Sequence, residues 1–383
     1  MPVITAIETG AVRVPLDAVT SFSNRSVRAR DFGLVKLHTD SGHTGIGFAY
    51  VGTVAGEMLP LAVETLFAKL LIGRDTLETE ALWKQMYQEA LLQGRAGVVM
   101  RAISAIDIAL WDVNAKSAGL PLHKYLGATD LDRVPAYASG GYYLEGKTPD
   151  KLGEELAHYA SLGFKAMKMK TGRLTPRQEE DRLKAAREAV GEDVALMLDV
   201  NNGWEDLTQA LQYVRRFEKY QPYFIEEPFL VDDLDNHARL ARATVIPVAT
   251  GEVETGHWRQ KTLLDMGGAA ILQTDAAVCG GITEWRRVAQ MASGYGITVM
   301  PHAFHDLHAP LVASMPNAPY AEMFLDDKVF NFSRLLDRRM RHENGRIVLH
   351  QTPGLGFEFD ENILREFSLT RGAGNTPWRR VGE

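Results

Sequence analysis

Residues 164–170 read FKAMKMK, a short apolar run that ends on a lysine, and the pattern returns six times down the second half of the chain. The later runs are ALMLDVN (195–201), YFIEEP (223–228), IPVATGE (246–252), AAILQTD (269–275), GITVMPH (296–302) and YAEMF (320–324). Inside each run or at its C-terminal edge sits an ionisable residue in register with the others: Lys170, Asp199, Glu226, Glu252, Asp275, His302 and Glu322. These residues fall 29, 27, 26, 23, 27 and 20 positions apart. One strand, one helix and two short loops make a β/α unit of about that length. Parallel strands buried on both faces read as continuous apolar runs, and a charge at the exit of each points into the loop crevice where such folds keep their chemistry. With VPAYASGG (134–141) as the first strand, the count reaches eight, the number a closed parallel barrel needs.

Outward from this core, residues 1–130 carry a different pattern. Two β-like runs, ITAIETGAVRVPL and FGLVKLHTD, lead through a turn at Asp40-Ser41-Gly42 into GHTGIGFAY, so a three-stranded sheet is expected. Helical patterns follow, the last of them ending at Gly119 and Pro121. Residues 131–324 form the expected barrel. Residues 325–383 show a hairpin signal at Asn344-Gly345 and little else.

At 383 residues with 45% apolar content, the chain can bury a large core. Its net charge of −7, with no basic cluster, gives no footprint for nucleic acid or an anionic membrane. No 18-residue apolar span occurs, and the first residues lack a signal-peptide pattern, so a cytoplasmic protein with small-molecule partners is expected, and a homo-oligomer. The single cysteine, Cys279, excludes an internal disulfide and is a weak metal or redox candidate.

Asp199, Glu226 and Glu252 leave three consecutive strand ends. Clustered carboxylates repel one another unless a cation neutralises them, and an all-oxygen set suits Mg²⁺ rather than Zn²⁺. Glu227 alternates to the other face and reads as structural. Lys168 and Lys170 share a face, and crowding with desolvation is expected to lower the lysine pKa toward that of a general base. Asp275 and His302 end adjacent strands, close enough for the carboxylate to hold one imidazole nitrogen. Glu322 is expected to be a raised-pKa acid that bonds a bound carboxylate. His305 and His308 follow His302 on what reads as the same loop, and spacing does not discriminate between them.

In order, Lys-x-Lys, Asp-x-Asn, Glu-Glu-Pro, Gly-Glu, Gln-x-Asp, Pro-His and a final Glu resemble the mandelate racemase subgroup of the enolase superfamily, over nearly the whole chain. Sites in that superfamily use a Lys or His base with one or two Mg²⁺ ions, and this set of residues is consistent with that chemistry. The resemblance implies a modified (β/α)7β TIM barrel, an N-terminal α+β capping domain, and a C-terminal segment returning to the cap. It implies Asp199, Glu226 and Glu252 as Mg²⁺ ligands, Lys170 as one acid/base tuned by Lys168, Asp275–His302 as the opposing dyad, and Glu322 on the substrate carboxylate. The shared step is abstraction of the proton α to a carboxylate. The loop at 19–31 is polar and carries Arg25, Arg28 and Arg30, and SGGYY and the segment around His302 are similar to acid-sugar dehydratases of the talarate/galactarate type. Dehydration of an aldonic or aldaric acid is therefore expected, with Arg28, Asn201 and His305 as substrate-binding candidates. Racemisation of an α-hydroxy acid by the same enolate chemistry is the alternative; lactone cycloisomerisation and a non-catalytic barrel are less well matched by the residues present.

Overall fold

The computed structural model describes residues 2–128 and 132–382; the expected boundary at residues 130 and 131 lies outside them. Strands β1 (Ile4–Ser21), β2 (Ser26–Thr39) and β3 (Thr44–Gly52) form an antiparallel meander. Helices α1 (Met58–Ala62), α2 (Ala68–Leu71), α3 (Thr79–Glu89), α4 (Gly97–Ser117) and α5 (Leu122–Tyr125) follow. Gly45 and Gly47 of GHTGIGFAY have a packing reason. A Cβ on Gly47 would stand 1.8 Å from Ala105 O, so β3 lies directly against the backbone of α4.

The alternation then begins: β4 (Arg133–Gly140), α6 (Pro149–Ser161), β5 (Ala166–Lys170), α7 (Pro176–Val190), β6 (Ala195–Asp199), α8 (Leu207–Phe217) and β7 (Phe224–Glu226). It continues with α9 (Leu234–Ala243), β8 (Val248–Thr250), α10 (Gly256–Asp265), β9 (Ile271–Leu272), α11 (Ala276–Cys279), α12 (Gly281–Gly294), β10 (Thr298–Val299), α13 (His305–Ala313) and β11 (Ala321–Phe324). Four of the helices, α6 to α9, start on Thr148, Thr175, Asp206 and Asp233. Each of these side chains accepts from the backbone N–H three residues on, worth about 1 kcal/mol apiece. Strands β4 to β10 pair in parallel in chain order, and β11 returns to pair with β4. This is the (β/α)7β barrel, with the α+β cap over one end.

Period-two alternation places the chemistry. Tyr137, Ala166, Met197, Phe224, Ala249, Ile271 and Met300 form a buried plug inside the barrel. One pleat further along their strands, the same inward face carries Lys168, Asp199, Glu226, Gln273 and His302. The barrel floor is thus apolar and its mouth is ionic.

The tail has more structure than its sequence pattern suggests. A hairpin of β12 (His342–Glu343) and β13 (Arg346–Val348) turns at Asn344-Gly345 and joins β4, while α14 (Glu361–Phe367) and β14 (Arg379–Val381) return to β1. Ala11 N donates to Thr370 Oγ1 at 3.0 Å across 359 positions. Cap and barrel also meet at α4, where Asp107 accepts from Thr283 N at 2.8 Å and Thr283 Oγ1 at 2.6 Å. Among the described residues no helix is long and apolar enough to cross a membrane.

Candidate active site

At the barrel mouth, a cavity of about 40 Å³ is lined by Lys168, Lys170, Asn201, Glu252, His302 and Glu322 from the strand ends. The cap contributes Phe22, Arg25, Arg30 and Tyr50, and Tyr142, Phe324 and Phe330 complete an aromatic wall. A larger hollow of about 830 Å³, beside Tyr143, Arg173 and Arg182, is lined by none of the strand-end acids and bases, so the smaller one is the candidate active site.

The lysines are pinned by carboxylates. Lys168 Nζ donates to both oxygens of Glu226 at 2.8 Å, ion-pairs with Glu322 Oε1 at 2.7 Å, and lies 3.7 Å from Asp199. Lys170 donates to Asp199 Oδ2. The expected lowering of the lysine pKa is therefore corrected. Burial alone would lower both, but Glu226 and Glu322 around Lys168, and Asp199 beside Lys170, outweigh it and raise both. Glu322 is corrected in the same way. Burial would raise it, yet Lys168, His302 and the Ala303 amide, which donates at 2.6 Å, hold it down at about 2. It stands as a carboxylate rather than a neutral acid.

Asp199 is likewise held at about 2 by Lys170 and Lys168 against the effect of burial. Glu226 moves the other way: burial and repulsion from Asp199 push it well above its ordinary range despite Lys168. Glu252 Oε2 is buried with no hydrogen-bond partner. Among the described residues no three His, Cys, Asp or Glu side chains converge into a ready coordination shell; two of the three acids turn to the lysines instead.

On the other side, His302 Nδ1 lies 3.1 Å from Asp275 Oδ2, and its Nε2 lies 3.7 Å from Glu252. Burial would lower the imidazole, but Glu252, Asp275 and Glu322 raise it. Burial would raise Asp275, but the bond from His302 holds it well below the usual carboxylate range. The turns that aim these groups are bent into left-handed backbone. Glu227, Ala303 and Phe304 have φ of 42°, 52° and 39°, conformations that cost about 1–3 kcal/mol each and persist at functional sites.

Two substrate-binding candidates are displaced. Arg28 is exposed and does not line the cavity; one pleat deeper on β2, Arg30 is buried and does. Its guanidinium lies over the rings of Tyr50 and Phe330 at 5.4 and 5.3 Å and donates to Val329 O at 3.0 Å, while its Nε has no partner. Alternation does not separate the two arginines, because they share a face. His305 sits on α13 rather than on a loop, buried away from the cavity with its Nε2 3.3 Å from Asp306. His308 lies on the same helix. Asn201 does line the cavity.

The hairpin at 21–26 lies over the mouth with its polar groups already engaged. Asn24 Nδ2 donates to Asn201 O at 2.8 Å, Ser23 Oγ to Val200 O, and Tyr143 N to Ser21 O at 3.4 Å. Phe22 turns inward instead. A polar loop sequence thus supplies a latch and an aromatic inner surface, with Arg25 at the rim. Ligand sites occupy some 300–1,000 Å³, so the mouth, at about 40 Å³, is closed with the hairpin in this position.

Residues 151–363 match the family described as Enolase C-terminal domain-like, and residues 5–127 match the Mandelate racemase / muconate lactonizing enzyme, N-terminal domain. The arabinonate dehydratase of Saccharolobus solfataricus is 35% identical over 344 residues, covering 87% of this chain and 89% of the relative. The D-galactarolactone cycloisomerase of Agrobacterium fabrum is 32% identical, covering 96% of this chain and 99% of its own. The crystal structure of L-talarate dehydratase from Polaromonas sp. JS666, complexed with Mg and L-glucarate, superposes with a TM-score of 0.87 at 29% identity, covering 100% of both chains.

Proposed function

The chain belongs to the mandelate racemase/muconate lactonizing enzyme family of the enolase superfamily, and from that premise we propose that it is a Mg²⁺-dependent dehydratase of an acid sugar. The observation that carries this reading is that Lys170 and His302 line one cavity together with Glu252, while Lys170 and Lys168 hold the carboxylates of Asp199 and Glu226 beside it. A relative named as an arabinonate dehydratase and a talarate dehydratase complexed with Mg and L-glucarate support it.

The donors fit the ion. All three acids offer oxygen, Glu252 has a buried oxygen without a partner, and Glu226 is destabilised by its neighbours' charge, as expected of ligands that suit a hard divalent cation. When bound, Mg²⁺ stabilises the second negative charge that develops on the substrate carboxylate as its α-proton leaves. Lys170 and His302 flank C2 and exchange the protons: one takes the α-proton, and the other delivers a proton to the departing 3-hydroxyl, leaving an enol that becomes the 2-keto-3-deoxy acid. Lys170 serves as a base only once Asp199 no longer holds its ammonium. Lys168, between Glu226 and Glu322, fixes the floor of the site.

Incubating the Mg²⁺ enzyme with a panel of five- and six-carbon aldonic and aldaric acids is expected to yield 2-keto product from at least one, with mandelate a poor substrate. Exchange of the C2 proton without 2-keto product would identify a racemase; a lactone-opening product would identify the cycloisomerase reading, which the relative from Agrobacterium fabrum favours.

On the best substrate, Arg30→Ala is expected to raise KM about tenfold or more, the equivalent of one charge-assisted hydrogen bond. Arg28→Ala should leave KM close to the parent value, because its side chain is solvated. Equal effects of the two would remove Arg30 from the site.

A further inference from the structure

The ring of His308 is fully buried and touches the backbone directly after each member of the Asp275–His302 pair. Its Nδ1 lies 2.8 Å from Ala303 O, and Ala276 N donates to its Nε2 at 3.0 Å. A carbonyl only accepts, so Nδ1 carries the proton; an amide N–H only donates, so Nε2 does not. The backbone therefore selects one neutral tautomer. Nε2 also stands 3.4 Å from Asp275 Oδ1, but with its lone pair on the Ala276 amide it has no proton to give. Asp275 Oδ1 accepts from Ala277 N at 2.7 Å instead, which leaves Oδ2 for His302.

The other end of the contact is the bent turn after His302. Ala303 and Phe304 have φ of 52° and 39°, a left-handed pair that side-chain-bearing residues hold when their surroundings over-determine them. Glu322 grips the N–H of Ala303 and His308 grips its C=O. Ala303, the residue directly after His302, is thus held through both of its backbone polar groups.

We propose that His308 is a positioning residue for the Asp275–His302 pair: a neutral imidazole strut, joining the turns after β9 and β10, that sets the separation of carboxylate and imidazole. It touches neither the cavity nor a reacting atom. The inference rests on the acid–base role given to His302 above, and the experiment separates the two.

Steady-state kinetics of the Mg²⁺ enzyme on its best acid sugar are compared for His308→Phe, His308→Asn, His308→Gln, His302→Asn and the double variant His302→Asn/His308→Gln. His308→Phe cuts both ties and is expected to lower kcat about 10²-fold, the effect of a catalytic group misplaced by an ångström, with KM little changed. His308→Asn keeps a donor for Ala303 O and His308→Gln an acceptor for Ala276 N, so each recovers part of the loss; these two carry the test if His308→Phe does not fold. In the His302→Asn background, His308→Gln should cost nothing further, because the ring it aims is already gone. Unchanged kcat in the His308 variants, or losses that multiply in the double variant, would overturn the proposal. Normal turnover by His302→Asn alone would overturn the acid–base reading, and the strut with it.

Discussion

Glu226→Gln abolishes turnover, by about 10³-fold or more, while leaving the thermal midpoint unchanged or raised. The two effects diverge because the residue is unfavourably placed for stability. Burial and the negative charge of Asp199 push its carboxyl well above the ordinary range, and Glu252 adds to the repulsion. Removing that charge relieves the folded state, although Lys168 then keeps only Glu322 at 2.7 Å and Asp199 at 3.7 Å as carboxylate partners. In the Mg²⁺ site proposed above, the same charge would stabilise the transition state by several kcal/mol, each 1.36 kcal/mol being about tenfold in rate. Thorough chelation should match the variant: activity falls to background and returns with added Mg²⁺, with the circular dichroism unchanged. Turnover that survives chelation would remove the metal from the mechanism.

The second large effect separates the two sides of the site. Lys170→Ala and His302→Asn each lower turnover about 10²–10⁴-fold, the usual range for a lost acid or base. In deuterated solvent they fail differently. The variant lacking the base that takes the α-proton incorporates no deuterium at C2, whereas the variant lacking the other group still exchanges that proton but does not eliminate. Mass spectrometry of recovered substrate reads the difference. If both variants turn over normally, Lys170 and His302 are not the acid and base.

Much of this architecture is legible in the residues. The spacing of seven ionisable strand ends carries the barrel, because period-two alternation and the length of a β/α unit are local properties. Charge states are not legible. Crowding along one strand predicts that Lys168 and Lys170 lose protons, yet the nearest charges to both are carboxylates from other strands, and no spacing along one strand reveals a neighbour across the barrel. Glu322 reverses for the same reason. Arg28 and Arg30 share a face, so the choice between them depends on depth below the hairpin, a tertiary quantity. His305 and His308 read as loop residues because the left-handed pair at Ala303 and Phe304, which starts α13 so soon after His302, has no glycine to announce it.

The long reach from Ala11 to Thr370 has a consequence for synthesis. A ribosome adds roughly 5–20 residues per second, so 359 intervening positions separate the two in time by roughly 18–72 s. Throughout that interval the outer edge of β1, a strand of 18 residues, lacks its β14 partner, and an open edge is a template for strands of other chains. Each nascent copy is therefore most vulnerable to association with its neighbours on the polysome, before residues 368–381 are released. Substitutions in that last stretch will register first as lost yield of folded protein, even though they lie far from any reacting atom.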